Sequence, residues 1–166
     1  MSSYSLDGSG EYVYTGKYYV FTADDAVLRR AKRAALMLSI LSAAALLVTG
    51  LFNFEGSRIF YVIIPYVFMF LPAYLTLSSA MRLMGISDKL TDKQANILVF
   101  RLKHASFSLV LLSCISLFGE ICFMLWGACA DASGEIAFLA GCAIVSMLNY
   151  VLFYISRRYL CIKISN

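Results

Sequence analysis

RLKHASFSLVLLSCISLFGEICFMLWGACA, residues 101–130, sets Arg101, Lys103 and His104 ahead of an apolar run that carries one ionisable side chain, Glu120. The run from position 105 exceeds the ~20 residues a helix needs to cross a hydrocarbon core. Three further stretches, 34–52, 59–81 and 136–155, have the same character. The predicted fold is therefore all-α: an integral membrane four-helix bundle. Residues 1–22 form a tyrosine-rich tail ahead of a spanning domain, 23–166, with a central loop at about 82–104.

Basic residues fix the orientation. Thirteen of the 14 Lys and Arg residues fall on one side of the four stretches, Arg58 being the exception. Basic residues near span ends stay cytoplasmic, so both termini and the central loop are expected inside. Arg29, Arg30, Lys32, Arg33, Arg101, Lys103, His104, Arg157 and Arg158 are the expected contacts to anionic headgroups. So strong a bias disfavours dual insertion, and any self-association is expected to be parallel.

Composition argues the same way: 61% of residues are hydrophobic and 14% charged, against roughly 45–50% and 25% in soluble domains. A net charge of +4 could suggest nucleic acid, but the charge clusters beside spans, so lipid headgroups are the expected partner and nucleic acid is not. The 33 residues ahead of the first span are too long for a cleaved signal peptide. A compact chain of this kind suits a bacterial cytoplasmic (plasma) membrane.

Several local signals refine the picture. Residues 2–10 are small and polar and predict disorder, while Tyr12–Tyr14 and Tyr18–Phe21 around Gly16 suggest a small hairpin or an extended strip that needs a surface to lie on. Thr22 with Asp25, and Thr91 with Gln94, have capping-box spacing. The first predicts a helix from about 23 to 52. The second predicts an amphipathic lead-in to the third span, through Ala95, Leu98, Val99 and Leu102. Pro65 and Pro72 predict a bent second span with freed carbonyls at Tyr61 and Phe68. Small residues at Ala35, Ser39 and Ala43, at Ala45 and Thr49, and at Ala137 and Gly141 predict close helix approach, within the chain or between copies. Aligning residues 30–52 with 101–123 gives eight identities in 23, which suggests a two-plus-two parallel repeat.

Chemistry has few places to reside. Charged groups inside a span are costly and face a partner, a cavity or a protonated state, so Glu120 leads the candidate site. Tyr66 and the carbonyl freed by Pro65 are its expected structural partners, and Asn149 in the fourth span is an expected interhelix hydrogen bonder. The segments 53–58 and 131–135 are read as short external loops. Cys114, Cys122, Cys129, Cys142 and Cys161 lack Cys-x-x-Cys or zinc spacing, so no metal or cofactor is expected. Cys122 and Cys142 lie at similar predicted depth, though packing is the expected role of both thiols. A single histidine makes no triad, and no enzyme is expected. The leading expectation is a small polytopic protein acting by interaction, as a homo-oligomer or an accessory subunit among other membrane proteins. Its rival is a small oligomeric transporter or channel with Glu120 as proton, cation or substrate site.

Overall fold

In the computed structural model the described residues are 4–6, 12–14, 18–51, 59–86, 89–126 and 132–165. Four long helical segments are apolar enough to cross a membrane. The first is α1, Asp25–Leu51, and the second is split into α2, Phe60–Phe68, and α3, Phe70–Met84. A short α4, Asp92–Ala95, and a π-helical turn, Asn96–Phe100, lead into α5, Arg101–Trp126. The last helix is α6, Ala132–Tyr159. Each span packs against its neighbours in sequence, and α1 against α6 closes the ring.

A heptad stripe explains the ring. The interior of α1 is Leu28, Lys32, Ala35, Ser39, Ser42, Leu46 and Thr49, and that of α6 is Glu135, Phe138, Cys142, Val145, Asn149, Leu152 and Ser156. Both alternate steps of three and four, the spacing that keeps one seam facing its partners in left-handed bundles. Val62, Tyr66, Met69, Ala73, Thr76, Ala80 and Leu83 repeat it in the second span, and Leu102, Ser106, Leu109, Ser113, Ser116 and Glu120 in the third. In the alignment of the two halves, Ala35 with Ser106, Ser42 with Ser113, and Thr49 with Glu120 are interior on both sides.

The second span breaks where the prolines predict. Met69 interrupts the helix, its N–H donating to the Tyr66 carbonyl at 3.1 Å while its own carbonyl accepts from Ala73 at 3.0 Å. Pro65 cannot donate to the carbonyl of Tyr61, and Gly119 of α5 sits directly against that oxygen. A β-carbon on Gly119 would stand 3.1 Å from it, so the close approach of the two helices here is suited to a residue without a side chain.

At the basic end the tail differs from expectation. β1, Tyr4–Leu6, pairs antiparallel with β2, Tyr12–Tyr14, so part of the segment expected to be disordered is a strand. β3, Tyr18–Phe21, does not form a hairpin with β2; it is the centre of a sheet between β4, Lys89–Thr91, and β5, Ile162–Ser165. A two-stranded ribbon is marginal alone; the three-stranded sheet instead buries its Phe21 and Leu90 in one cluster with Leu98, Leu102 and Leu160. Thr22 follows its strand: its N–H and hydroxyl both donate to the Cys161 carbonyl, at 3.0 and 2.9 Å. Among the described residues no helix N–H donates to its hydroxyl, so α1 starts without the expected Thr22 cap, with Leu28 N–H bonding the Asp24 carbonyl at 2.8 Å. The second capping box does form, Thr91 N–H to Gln94 Oε1 at 3.0 Å and Gln94 N–H to Thr91 Oγ1 at 3.4 Å. The lead-in then continues the third span as helix, burying Ala95, Leu98 and Val99.

Gly16, segment 53–58 and Cys129 lie outside the described residues. Cys122 and Cys142 are free thiols.

Candidate functional site

Most of the polar groups inside the bundle are answered by their own helix. Ser39, Thr49, Ser106 and Ser156 donate to the carbonyls of Ala35, Ala45, Leu102 and Leu152 at 2.7 to 2.8 Å. Such back-bonding removes the penalty of an unmet hydroxyl where water is absent. Asn149 bridges helices: its Nδ2 donates to Ser42 Oγ at 2.6 Å and to the Val145 carbonyl at 2.8 Å. Interhelix hydrogen bonds of this kind average about 0.6 kcal/mol and reach about 1.7. Asn149→Ala is therefore expected to lower stability by about 1 kcal/mol in a reversible unfolding assay in mixed micelles, with Ser42→Ala adding little on top.

Asn149 Oδ1 has no partner among the described residues, but the larger group of unmet polar atoms lies toward the other end. Glu120 is 0% exposed, yet no hydroxyl, amide or cation among the described residues answers either carboxyl oxygen, and the group it can share a proton with is another carboxyl. Ser116, one turn earlier on the same face, is buried with its Oγ likewise unmet. Across from them stands Glu135, also 0% exposed, whose carboxyl adjoins that of Glu120. Cys142 lies close to both Glu120 and Tyr66. Two carboxyls from different helices thus share one apolar enclosure. Like charges side by side in a low dielectric are unstable unless a proton or a cation neutralises one of them.

The chain matches no known family model, no curated protein and no solved structure.

Its site must be read from the geometry alone. Neither structural partner expected for Glu120 receives it. The Tyr66 hydroxyl donates to the Leu46 carbonyl at 2.5 Å, and the carbonyl freed at Tyr61 faces Gly119 of α5. Tyr66 reaches across because Gly50 has no side chain, and Phe138 and Phe70 hold its ring at centroid distances of 5.5 and 5.8 Å. Pro65 is half-buried and acts on the site through the backbone it frees. Asn149 sits two heptads below Glu135 on α6, outside the carboxyl pair.

Glu135 is the residue that the reading of 131–135 as an external loop missed. It begins the α6 heptad stripe, seven residues before Cys142 and fourteen before Asn149, and that register is its sequence signal.

Seven of the nine expected headgroup residues, Arg29, Arg30, Arg33, Arg101, His104, Arg157 and Arg158, are exposed, and Lys103 is half-buried. Lys32 differs. It is 7% exposed, with Nζ donating to the Ile86 carbonyl at 2.8 Å and standing 5.1 Å above the Phe21 ring. It joins α1 to the end of α3 and to the sheet. No group of three or more His, Cys, Asp or Glu side chains able to hold a metal occurs among the described residues.

Proposed function

We propose that this chain is a small four-span membrane transporter or channel, with both termini and the central segment cytoplasmic, in which Glu120 and Glu135 bind a proton or a cation exchangeable with the outer side. The carrying observation is the Glu120 carboxyl, fully buried and facing the Glu135 carboxyl, with no hydroxyl, amide or cation answering its oxygens among the described residues. A structural carboxyl would be expected to hold partners for its oxygens. A coupling carboxyl needs them open to the ion it exchanges. The basic end, with exposed Arg29, Arg30, Arg33, Arg157 and Arg158, supports the cytoplasmic assignment.

The test is flux in reconstituted vesicles. With a pH-reporting dye inside and a sodium or potassium gradient imposed, the native chain is expected to move protons or the cation. Glu120→Gln, nearly isosteric but unable to exchange charge, is expected to reduce that movement by about two orders of magnitude, the scale of losing a group central to proton transfer. A native chain that carries no flux, or a Glu120→Gln chain that carries it undiminished, defeats the proposal.

A second reading, action by association in a parallel homo-oligomer or as an accessory subunit, is favoured by the sheet at the basic end. Among the described residues its outer strands β4 and β5 each pair on one side only, and an open strand edge is a template for another chain. The small-residue faces lend it less support. Ala35, Ser39 and Thr49 are buried within the bundle, and Gly141 packs on Thr49. Crosslinking in native membranes that captures only monomer would count against association.

A further inference from the structure

We propose that a cleft at the basic end, between the start of α1 and the end of α3, is a specific site for the phosphate of an anionic phospholipid, an inference that rests on the membrane-spanning reading but not on the carboxyl pair. The cleft has a volume of about 340 Å³ and is lined by Asp25, Leu28, Arg29, Lys32 and Arg33, with Met84 and Ile86 opposite. That is within the roughly 300–1,000 Å³ of small-ligand sites.

Three cations and one carboxylate line it, a net positive charge of two by formal count. Asp25, Arg29 and Arg33 are spaced by four, so they share one face of α1. Lys32 forms the fixed element, held by the Ile86 carbonyl and the Phe21 ring. Arg29 and Arg33 are exposed and have no hydrogen bond or ion pair among the described residues. Guanidinium groups without a carboxylate partner are suited to fork onto phosphate oxygens.

The surroundings favour a lipid over a free anion. One turn beyond Arg33 on the same face is Met37, 65% exposed, and on α3 Met81 and Met84 are 60% and 42% exposed. A charged recess thus opens beside bare apolar surface, which is the amphiphilic outline of a headgroup with its acyl chains. Basic recesses between spans on the cytoplasmic side are the recurrent form of such sites.

Native mass spectrometry of the full chain in mild detergent, titrated with phosphatidylglycerol or phosphatidylcholine, tests this. The native chain is expected to retain phosphatidylglycerol preferentially, and Arg29→Gln with Arg33→Gln to weaken retention on the order of tenfold or more, from the loss of two cations near the headgroup. Arg30→Gln with Arg157→Gln removes the same charge elsewhere and is expected to change it less than about twofold. Equal weakening in both double variants would mean diffuse surface charge and overturn the site. Equal retention of phosphatidylcholine would overturn it too. Displacement of the lipid by millimolar inorganic phosphate would assign the cleft to a free anion instead. Independently of any variant, phosphatidylglycerol carrying a photoreactive headgroup is expected to label residues 25–37 or 81–86 of the native chain, and labelling confined to other segments would refute the proposal.

Discussion

Gly141→Val is expected to destabilise the bundle by about 3 kcal/mol, the upper end of the usual cost of overpacking a tight core. A β-carbon built on Gly141 overlaps Thr49 of α1, standing 2.8 Å from Cγ2 and 2.9 Å from Cβ as well as against Oγ1. The Cβ contact matters most, because no rotamer moves that atom. The helices must separate, and α1 against α6 is the pair that closes the ring. Spans associate in lipid through close packing rather than through a hydrophobic force, so separation is not compensated elsewhere. Thr49→Ala removes Oγ1 and Cγ2 but keeps Cβ, and is expected to recover only part of the loss; Thr49→Gly is expected to recover more, less about 1 kcal/mol for glycine in a helix. A double-mutant cycle by reversible unfolding should therefore give a coupling of at least about 1 kcal/mol. Gly141→Val equally harmful whatever stands at position 49 would show that this contact does not set the helix spacing.

The spans were legible because apolar length dominates every other signal. Runs such as 105–130 read as helices long and apolar enough to cross a membrane, and the two prolines predicted a bend in the second of them, where the structure has a break at Met69. What sequence reading could not weigh was competition between local and distant partners. Thr22 carries a sound local capping signal, yet its backbone N–H and hydroxyl both follow strand β3 and donate to the Cys161 carbonyl, 139 positions away in the chain. Tyr18–Phe21 likewise reads as half of a hairpin with Tyr12–Tyr14, and the better partners are Lys89–Thr91 and Ile162–Ser165. At the carboxyl pair, Glu120 was visible as a lone charge in an apolar run. Glu135 was hidden because a charge at a span boundary resembles a loop residue, and only its heptad register with Phe138, Cys142 and Asn149 places it inside.

Glu120→Met separates a structural carboxyl from a functional one, because the two roles give opposite signs. If Glu120 held the bundle together, removing it would leave its partners unmet and lower stability. The group facing its oxygens is the Glu135 carboxyl, however, with no hydroxyl, amide or cation among the described residues. An unsatisfied buried polar group carries a penalty of about 1–3 kcal/mol, and methionine fills a similar volume with adaptable packing. Glu120→Met is therefore expected to raise stability by about 1–3 kcal/mol while abolishing the flux that Glu120→Gln reduces. A gain in stability coupled to loss of function is the pattern of a site kept unfavourable for its chemistry. Glu135→Met tests the asymmetry of the pair. Glu135 has an interaction of its own, so its removal is expected to yield a smaller gain, or a loss, while still disturbing flux through its neighbour. Lowered stability in Glu120→Met, measured in the same micelles, would return Glu120 to a structural role and leave association as the surviving reading.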